Sequence, residues 1–148
     1  NAWITLNGVE TLPLRMERHC SNGLAVAEFL EKNQNVEWVS HAGLKSSPYY
    51  KLGKKYFSNG TGSLFAFGVK GGYESGLKLL ESVELFSHVA NLGDTRSLIL
   101  HPASTTHRQL SEEQQIASGA GPEVIRISVG IECAEDLIDD LDQALSKL

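Results

Sequence analysis

The most informative segment of the sequence is Val124-Ile125-Arg126-Ile127-Ser128-Val129. Its β-branched, apolar composition predicts a strand, in which alternate side chains share a face. The residues at 125, 127 and 129 would point into a core, and those at 124, 126 and 128 would point the other way. The sequence therefore predicts an arginine, Arg126, at the centre of an otherwise apolar strand.

Outward from this segment, short β-rich runs alternate with amphipathic helices. Further strands are predicted at 36–40, 63–69, 86–92 and 97–100. Helices are predicted over 3–9 with a turn at Gly8, and over 11–32, 48–56, 73–84, from 111 and over the last residues. The pattern favours an α+β (α/β) sandwich: a small, mainly antiparallel sheet with helices on one face, preceded by a long N-terminal helix.

The long helix over 11–32 is predicted from apolar or small residues spaced three and four apart, namely Met16, Cys20, Leu24, Ala27 and Leu30. Thr11 is the expected cap, Pro13 suits the first turn, and Gly23 is the weak point inside the helix. Ser47-Pro48 is expected to open the helix predicted over 48–56, with proline at the first helical position. Ser111 to Gln114 has the form of a capping box.

Composition limits the classes of function. The chain has 148 residues, 41% of them hydrophobic, and a formal charge of -5 without a basic stripe. We therefore expect one compact domain, with neither nucleic acid nor a membrane as partner. Its two cysteines, Cys20 and Cys133, fit neither a disulfide framework nor a metal motif, and no leader for secretion is apparent, so we expect a cytoplasmic protein.

Arg126 is the first candidate for chemistry. A guanidinium on a rigid strand suits a carboxylate, which it binds through two parallel hydrogen bonds. The alternatives are a solvated arginine or one paired with an acid such as Glu132.

A second candidate segment covers 91–107, where a turn and a short apolar strand precede the hydroxyl cluster Ser104-Thr105-Thr106. These hydroxyls suit a polar or anionic ligand, or they satisfy the backbone of a turn. His101 and His107 lack metal-ligand spacing, so structural roles are expected for them and no metal site is predicted. The acidic run over 132–142 is interpreted as the solvated face of the last helix.

Residues 10–19, 48–50, 97–107 and 126–132 together resemble the C-terminal domain of the pyridoxal-phosphate-dependent enzymes of cysteine and methionine metabolism. That family includes cystathionine synthases and lyases, methionine lyase and the homoserine-ester sulfhydrylases. The turn Asn91-Leu92-Gly93-Asp94 and residues 109–113 are more similar to the O-acetylhomoserine sulfhydrylase branch, which makes homocysteine from the ester and sulfide. The resemblance implies the C-terminal domain of a fold-type I, aminotransferase-like enzyme.

The resemblance also implies roles for three residues. Arg126 would hold the α-carboxylate of the amino-acid substrate, a homoserine ester, and Asn91 and Thr106 would assist. Residues 1–34 would be a helical extension that joins a missing cofactor domain, and residues 35–148 would be the substrate-carboxylate domain. The intact enzyme would be a homo-oligomer, typically a tetramer.

The family carries its cofactor on the lysine of a Ser-x-Thr-Lys run, and no lysine here follows Ser-x-Thr. We therefore expect no catalytic or cofactor-binding residue in this chain, no pyridoxal phosphate bound to it alone, and no activity of the chain by itself. A purely structural assembly module, with the first long helix as its interaction surface, is the alternative.

Overall fold

A computed structural model describes residues 2–148. The elements, in chain order, are α1 (Ala2–Glu10), α2 (Leu12–Lys32), β1 (Val36–Ser40), α3 (Tyr50–Tyr56), β2 (Leu64–Val69), α4 (Gly72–Ser82), β3 (Ser87–His88), β4 (Leu98–Leu100), a 3-10 turn (Pro102–Ser104), α5 (Glu112–Ala117), β5 (Val124–Ser128) and α6 (Ala134–Leu145). None of these helices combines the length and apolar character that a bilayer crossing requires.

The five strands form one sheet in the order β1-β2-β5-β4-β3. Three of the four strand pairs are antiparallel, and the short edge pair between β3 and β4 is parallel. The predicted α+β class and the mainly antiparallel sheet are confirmed. The strand predicted from the decisive segment, β5, has hydrogen-bonded neighbours on both sides.

The core lies between one face of this sheet and three helices. The sheet contributes the alternate residues of β2 and β5, and the helices contribute apolar residues of α2, α4 and α6; the set includes Phe65, Phe67, Val69, Ile99, Ile125, Ile127, Val129, Val26, Leu30, Leu79, Leu137 and Leu141. Residues 125, 127 and 129 therefore point into the core as predicted. The opposite face of β5 remains open at Arg126, which is half-buried.

Helix α2 covers the predicted residues, and its predicted face is confirmed in part: Ala27 and Leu30 are buried, and Leu24 packs against the core. His19, Asn22 and Gly23 are buried, whereas Met16 is 42% exposed. A Cβ at position 23 would lie 2.8 Å from the Cα of Ser63, so this glycine allows close packing and is not a weak point. The periodicity of apolar residues does not identify His19 and Asn22 as part of this face, because their side chains are polar.

Several predicted boundaries are wrong. Helix α1 continues through Gly8, and the chain turns at Thr11, whose side chain makes no capping hydrogen bond. Helix α3 begins at Tyr50, two residues after Pro48. The apolar run 86–92 supplies only the two-residue strand β3, because the chain leaves the sheet edge after His88 and continues as a loop.

The acidic run 132–142 is also not wholly solvated, contrary to the prediction. Asp140 is 7% exposed, and its carboxylate accepts hydrogen bonds from the backbone N–H groups of Glu84, Leu85 and Phe86 at 2.8–3.1 Å. Buried carboxylates are stable when such donors compensate for lost water. This contact fixes the end of α4 and the approach to β3 against α6.

Candidate functional site

Arg126 stands at the middle of the sheet. It pairs with Ala66 of β2 on one side and with Leu100 of β4 on the other. Cross-strand partners lie on the same face of a sheet, so a small and a medium apolar side chain flank the arginine on the open face. A central strand fixes the backbone of this residue more firmly than a loop would.

The guanidinium of Arg126 forms no ion pair with a carboxylate of residues 2–148. Its Nη2 donates one long hydrogen bond, 3.4 Å, to the backbone oxygen of Asn91. The alternative that Glu132 neutralises Arg126 is wrong, because both carboxylate oxygens of Glu132 accept hydrogen bonds from Ser97. Apart from this hydrogen bond, the guanidinium of the half-buried Arg126 has no partner among residues 2–148.

The chain leaving β5, residues 129–132, is held by polar side chains of α2. We call this segment the β5 exit. His19 Nδ1 donates to the oxygen of Val129 at 2.7 Å, and Asn22 Nδ2 donates to the oxygens of Gly130 and Glu132 at 3.1 and 2.8 Å. These side chains satisfy carbonyl groups that have no strand partner, which is why a polar stripe of α2 is buried.

Ser97 completes the β5 exit from the side of β4. Its side chain is fully buried, its hydroxyl donates to Glu132 at 3.0 Å, and the same oxygen accepts the N–H of Gly130 at 2.8 Å. The backbone N–H of Ser97 donates to the other oxygen of Glu132 at 2.7 Å. The strand that bears Arg126 is therefore fixed immediately after the arginine.

Asn91, the second predicted site residue, lies beside Arg126 through its backbone oxygen, and its side chain is exposed. The following Gly93 has a φ of 70°, and its N–H donates to Ser128 Oγ at 3.1 Å. A hydrogen bond from the N–H of Arg96 lowers the pKa of Asp94 further along this loop. The loop is therefore held against the open face of β5.

The hydroxyl loop, residues 101–107, continues directly from Leu100, the β4 partner of Arg126. Thr105 Oγ1 donates to the oxygen of His101 at 2.7 Å, so this hydroxyl satisfies turn backbone, as one interpretation held. Thr106, the third predicted site residue, is exposed, and its hydroxyl bonds His107 Nδ1 at 2.8 Å. The structure shows no hydrogen bond between Thr106 and Arg126.

His101 lies fully buried beneath this loop, in the structural role expected for it. Its Nε2 donates to the oxygen of Pro122 at 2.9 Å, which leaves Nδ1 to accept from Ser104 Oγ at 2.9 Å. Tyr73 of α4 contacts the ring edge-on, with centroids 5.1 Å apart. Burial lowers the pKa of His101, which keeps the ring neutral.

Gln115 holds the loop from the opposite side, and the sequence interpretation missed it. It is the one buried side chain of α5, at 8% exposure, and its Nε2 donates to the oxygens of Ala103 and His107 at 3.1 and 3.0 Å. The predicted capping box of α5, Ser111 with Gln114, is confirmed. A glutamine among polar neighbours carries no signal of burial, so no pattern pointed to it.

The same residues offer little to a metal ion. No group of three or more histidine, cysteine, aspartate or glutamate side chains in residues 2–148 suits a metal ion. Every lysine in the chain is exposed, so none is enclosed as a covalently bound cofactor requires. Among these residues, Arg126 has chemistry suited to a free carboxylate.

Comparison with known proteins identifies the family. A family model described as Cys/Met metabolism PLP-dependent enzyme matches residues 1–146, and the chain belongs to this family. The resemblance predicted from the sequence is therefore confirmed.

The relatives include a sulfhydrylase and a lyase of this family. The chain is 50% identical to O-acetyl-L-homoserine sulfhydrylase of Leptospira meyeri. The match includes 100% of this chain and 34% of that protein. It is 48% identical to L-methionine gamma-lyase of Treponema denticola, covering 36% of that protein and 99% of this chain. The chain thus spans about a third of the length of these curated relatives.

A solved structure has the same fold. The crystal structure of a putative O-acetylhomoserine (thiol)-lyase from Campylobacter jejuni matches 99% of this chain and 35% of its own, with a TM-score of 0.91 and 44% identity. That protein carries an N'-pyridoxyl-lysine-5'-monophosphate. The predicted relation to a domain of a pyridoxal-phosphate enzyme is confirmed at the level of fold.

Proposed function

We propose that this chain is the C-terminal part of a pyridoxal-phosphate-dependent sulfhydrylase, and that it binds the α-carboxylate of the substrate through Arg126. The reaction would convert O-acetylhomoserine and sulfide to homocysteine. The family and the sulfhydrylase relatives support the enzyme class. The observation that carries the carboxylate role is a central-strand arginine whose guanidinium makes one long hydrogen bond to a carbonyl and no ion pair.

The physical argument rests on position and charge. A carboxylate accepts two parallel hydrogen bonds from one guanidinium, and this pairing fixes its orientation as well as its place. Arg126 keeps its charge at any physiological pH, and the β5 exit holds its strand. The arginine would therefore position the amino acid and would move no proton.

Asn91 and Thr106 would assist from the two loops on either side. The backbone oxygen of Asn91 already touches the Arg126 guanidinium and so limits its rotation. The Thr106 hydroxyl is exposed at the end of the hydroxyl loop, where it is free to reorient from His107 toward a ligand. Both contributions are smaller than the charge of Arg126, because neutral hydrogen bonds are weaker than charge-assisted ones.

The cofactor in this proposal is pyridoxal phosphate, held by a domain outside the present residues. The exposed lysines support this division, and the chain alone would bind no cofactor and have no activity. Residues 1–34 would join the cofactor domain, and residues 35–148 would form the substrate-carboxylate domain. The buried Val26 and Leu30 already unite the second half of this extension with the core, so the joining surface would be α1 and the start of α2.

Helix α1 supports such a contact surface. It buries no residue, yet it carries large apolar side chains that are more than half exposed: Trp3 (76%), Ile4 (67%), Leu6 (64%) and Val9 (55%). Apolar patches of this kind mark surfaces that another protein segment covers. We propose that the cofactor domain and neighbouring subunits of a homo-oligomer, a tetramer by family resemblance, cover it.

The unpaired cysteines Cys20 and Cys133 suit a reducing cytoplasm.

A second candidate is another reaction of the same family. The 48% identity to a methionine gamma-lyase favours it, because the carboxylate is common to the substrates of both enzymes. Arg126 would serve either reaction in the same way. Assay of the full-length protein with O-acetylhomoserine plus sulfide, and separately with methionine, distinguishes the two.

The carboxylate role is tested by Arg126→Ala in the full-length protein. Loss of a charge that pairs with a desolvated carboxylate weakens substrate binding by about 2–5 kcal/mol. The expected result is a large rise in KM for the amino-acid substrate, with retained cofactor absorbance. Arg126→Lys should recover only part of the affinity, since an ammonium group lacks the planar fork.

Arg18→Ala is the matched control, because it removes an exposed guanidinium from α2. It should leave KM unchanged. An unchanged KM in Arg126→Ala would overturn the assignment.

A further inference from the structure

Helix α5 is too short and too exposed to contribute to the core. It has six residues, and every one except Gln115 lies at the surface. The helix is nevertheless defined at its start by a complete capping box, in which Ser111 and Gln114 satisfy each other's backbone N–H groups. A short helix that buries no apolar side chain gains little from the hydrophobic effect, so its one buried contact is informative.

That contact is an amide that binds the hydroxyl loop at two points. Gln115 Nε2 donates to the oxygen of Ala103 at 3.1 Å and to the oxygen of His107 at 3.0 Å. The two carbonyl groups flank the segment 104–106, which contains the exposed Thr106. A single amide group therefore sets the distance between the two ends of the segment that carries the hydroxyls.

The inner side of the hydroxyl loop, next to His101, is also held by hydrogen bonds. His101 bonds Pro122 and Ser104, and the backbone N–H of His107 donates to the oxygen of Pro102 at 2.9 Å. The loop starts one residue after Leu100, the strand partner of Arg126. His101 therefore holds the inner side of the loop, and Gln115 adds hydrogen bonds to the carbonyl groups of Ala103 and His107, on either side of residues 104–106.

We propose that Gln115 is a positioning residue: it holds residues 104–107 so that the Thr106 hydroxyl meets the carboxylate that Arg126 binds. This inference rests on the carboxylate role proposed above. Gln115 itself does not touch substrate, because it is buried behind the loop and both hydrogens of its amide are used. Its effect on binding passes through the backbone of the loop.

The test uses the full-length protein with its cofactor. Gln115→Met keeps the length of the side chain and removes both donors. We expect KM for the amino-acid substrate to rise roughly tenfold, the effect of losing about one hydrogen bond, with kcat and the KM for sulfide changed far less. Gln109→Met, an exposed glutamine in the neighbouring turn, is the matched control and should leave both constants unchanged.

A second readout separates positioning from stability. We measure the preference of each variant for an amino acid over its carboxamide analogue. Gln115→Met should reduce this preference, whereas a purely structural role would lower the melting temperature and leave the preference intact. A lower melting temperature with unchanged KM and unchanged preference would overturn the proposal.

Arg126→Ala in the same series identifies which inference fails. If Arg126→Ala abolishes the preference for a carboxylate and Gln115→Met does not alter it, the role of Gln115 is wrong and the carboxylate role stands. If Arg126→Ala leaves the preference unchanged, the carboxylate role itself is wrong. In the double variant, the two effects on KM should be less than additive, because both act on one carboxylate.

Discussion

The β5 exit and the hydroxyl loop lie on opposite ends of the same strand pair, and they are held in different ways. At the β5 exit, buried side chains of α2 and β4 bind the backbone, and the segment is enclosed by the core. The hydroxyl loop is exposed on one side and is held by two polar side chains, His101 and Gln115. The first region is enclosed by the core, whereas the second lies partly at the surface.

This difference teaches where substitutions should act. Groups at the β5 exit are buried and mutually satisfied, so their removal should lower the stability of the whole domain. Groups that hold the hydroxyl loop should change ligand affinity more than global stability, because surface loops unfold locally at low free energy. Three stability experiments sharpen this comparison, beginning with the largest expected effect.

The largest effect should come from Gly23→Ala. The new Cβ would lie 2.8 Å from Ser63 Cα and 2.9 Å from the oxygen of Gly62, both backbone atoms that cannot move aside cheaply. Because the oxygen of Ser63 accepts the N–H of Val129, the displacement would reach the β5 exit. We expect the free energy of unfolding to fall by roughly 3 kcal/mol, measured by urea denaturation.

Gly8→Ala is the control for that experiment. A Cβ at Gly8 meets no atom within 4 Å, and the residue lies inside α1. Alanine is a better helix former than glycine by about 1 kcal/mol, so this substitution should not destabilise the protein. Equal losses in the two variants would show that packing against Ser63 is not the cause.

The next effect should come from Ser97→Ala. The substitution removes the acceptor of the Gly130 N–H and one of the donors to Glu132, in a fully buried place. A buried group left without its partner costs roughly 2 kcal/mol of stability. Ser21→Ala removes an exposed hydroxyl from α2 and should change the unfolding midpoint little. If Ser97→Ala lowers the free energy of unfolding no more than Ser21→Ala does, the role of Ser97 at the β5 exit is contradicted.

The smallest effect near neutral pH concerns His101 beneath the hydroxyl loop and His41 beside β2. Burial lowers the pKa of both residues. The unfolded chain therefore takes up protons first, so these groups leave stability unaffected above about pH 6.5 and reduce it progressively as the pH falls below that value. Unfolding measured between about pH 7 and pH 5.5 should show this loss.

Nuclear magnetic resonance titration assigns the effect to the two residues. Both rings should titrate at a lower pH in the folded protein than in the same chain unfolded by urea, because burial lowers their pKa only in the folded state. If His41 and His101 titrate at the same pH in the folded and the unfolded chain, burial does not control their pKa and the predicted loss has another origin.

The sequence predicted the sheet and the helices where periodic apolar patterns were long. Residues 124–128, 64–69 and 12–32 gave correct elements because their periods are those of a strand or a helix. The run 86–92 gave a strand that is mostly loop, since strand length depends on a neighbour and β4 offers β3 only two paired residues. The length of such a strand depends on its partner in the sheet, and the local sequence does not indicate it.

The site was predicted in part. The backbone oxygen of Asn91 accepts a hydrogen bond from Arg126 Nη2 at 3.4 Å, and the roles of Arg126, Asn91 and Thr106 toward a substrate stay predictions. The buried polar groups were missed: His19, Asn22 and Gln115 all bind carbonyl oxygens that no sequence pattern identifies as unpartnered. Hydrophobic periodicity ranks such residues as exposed, because it measures apolar character and not hydrogen bonding.

The place of β5 in the sheet also has a consequence for synthesis of the chain. It separates β1 and β2 from β4 and β3, although it is the last of the five strands to be made. Until residues 124–128 leave the ribosome, β2 and β4 have no strand between them, and β2 lacks the partner with which it pairs over residues 64–68. Folding of this domain should therefore begin late in translation, with Arg126 arriving in the same step that closes the sheet.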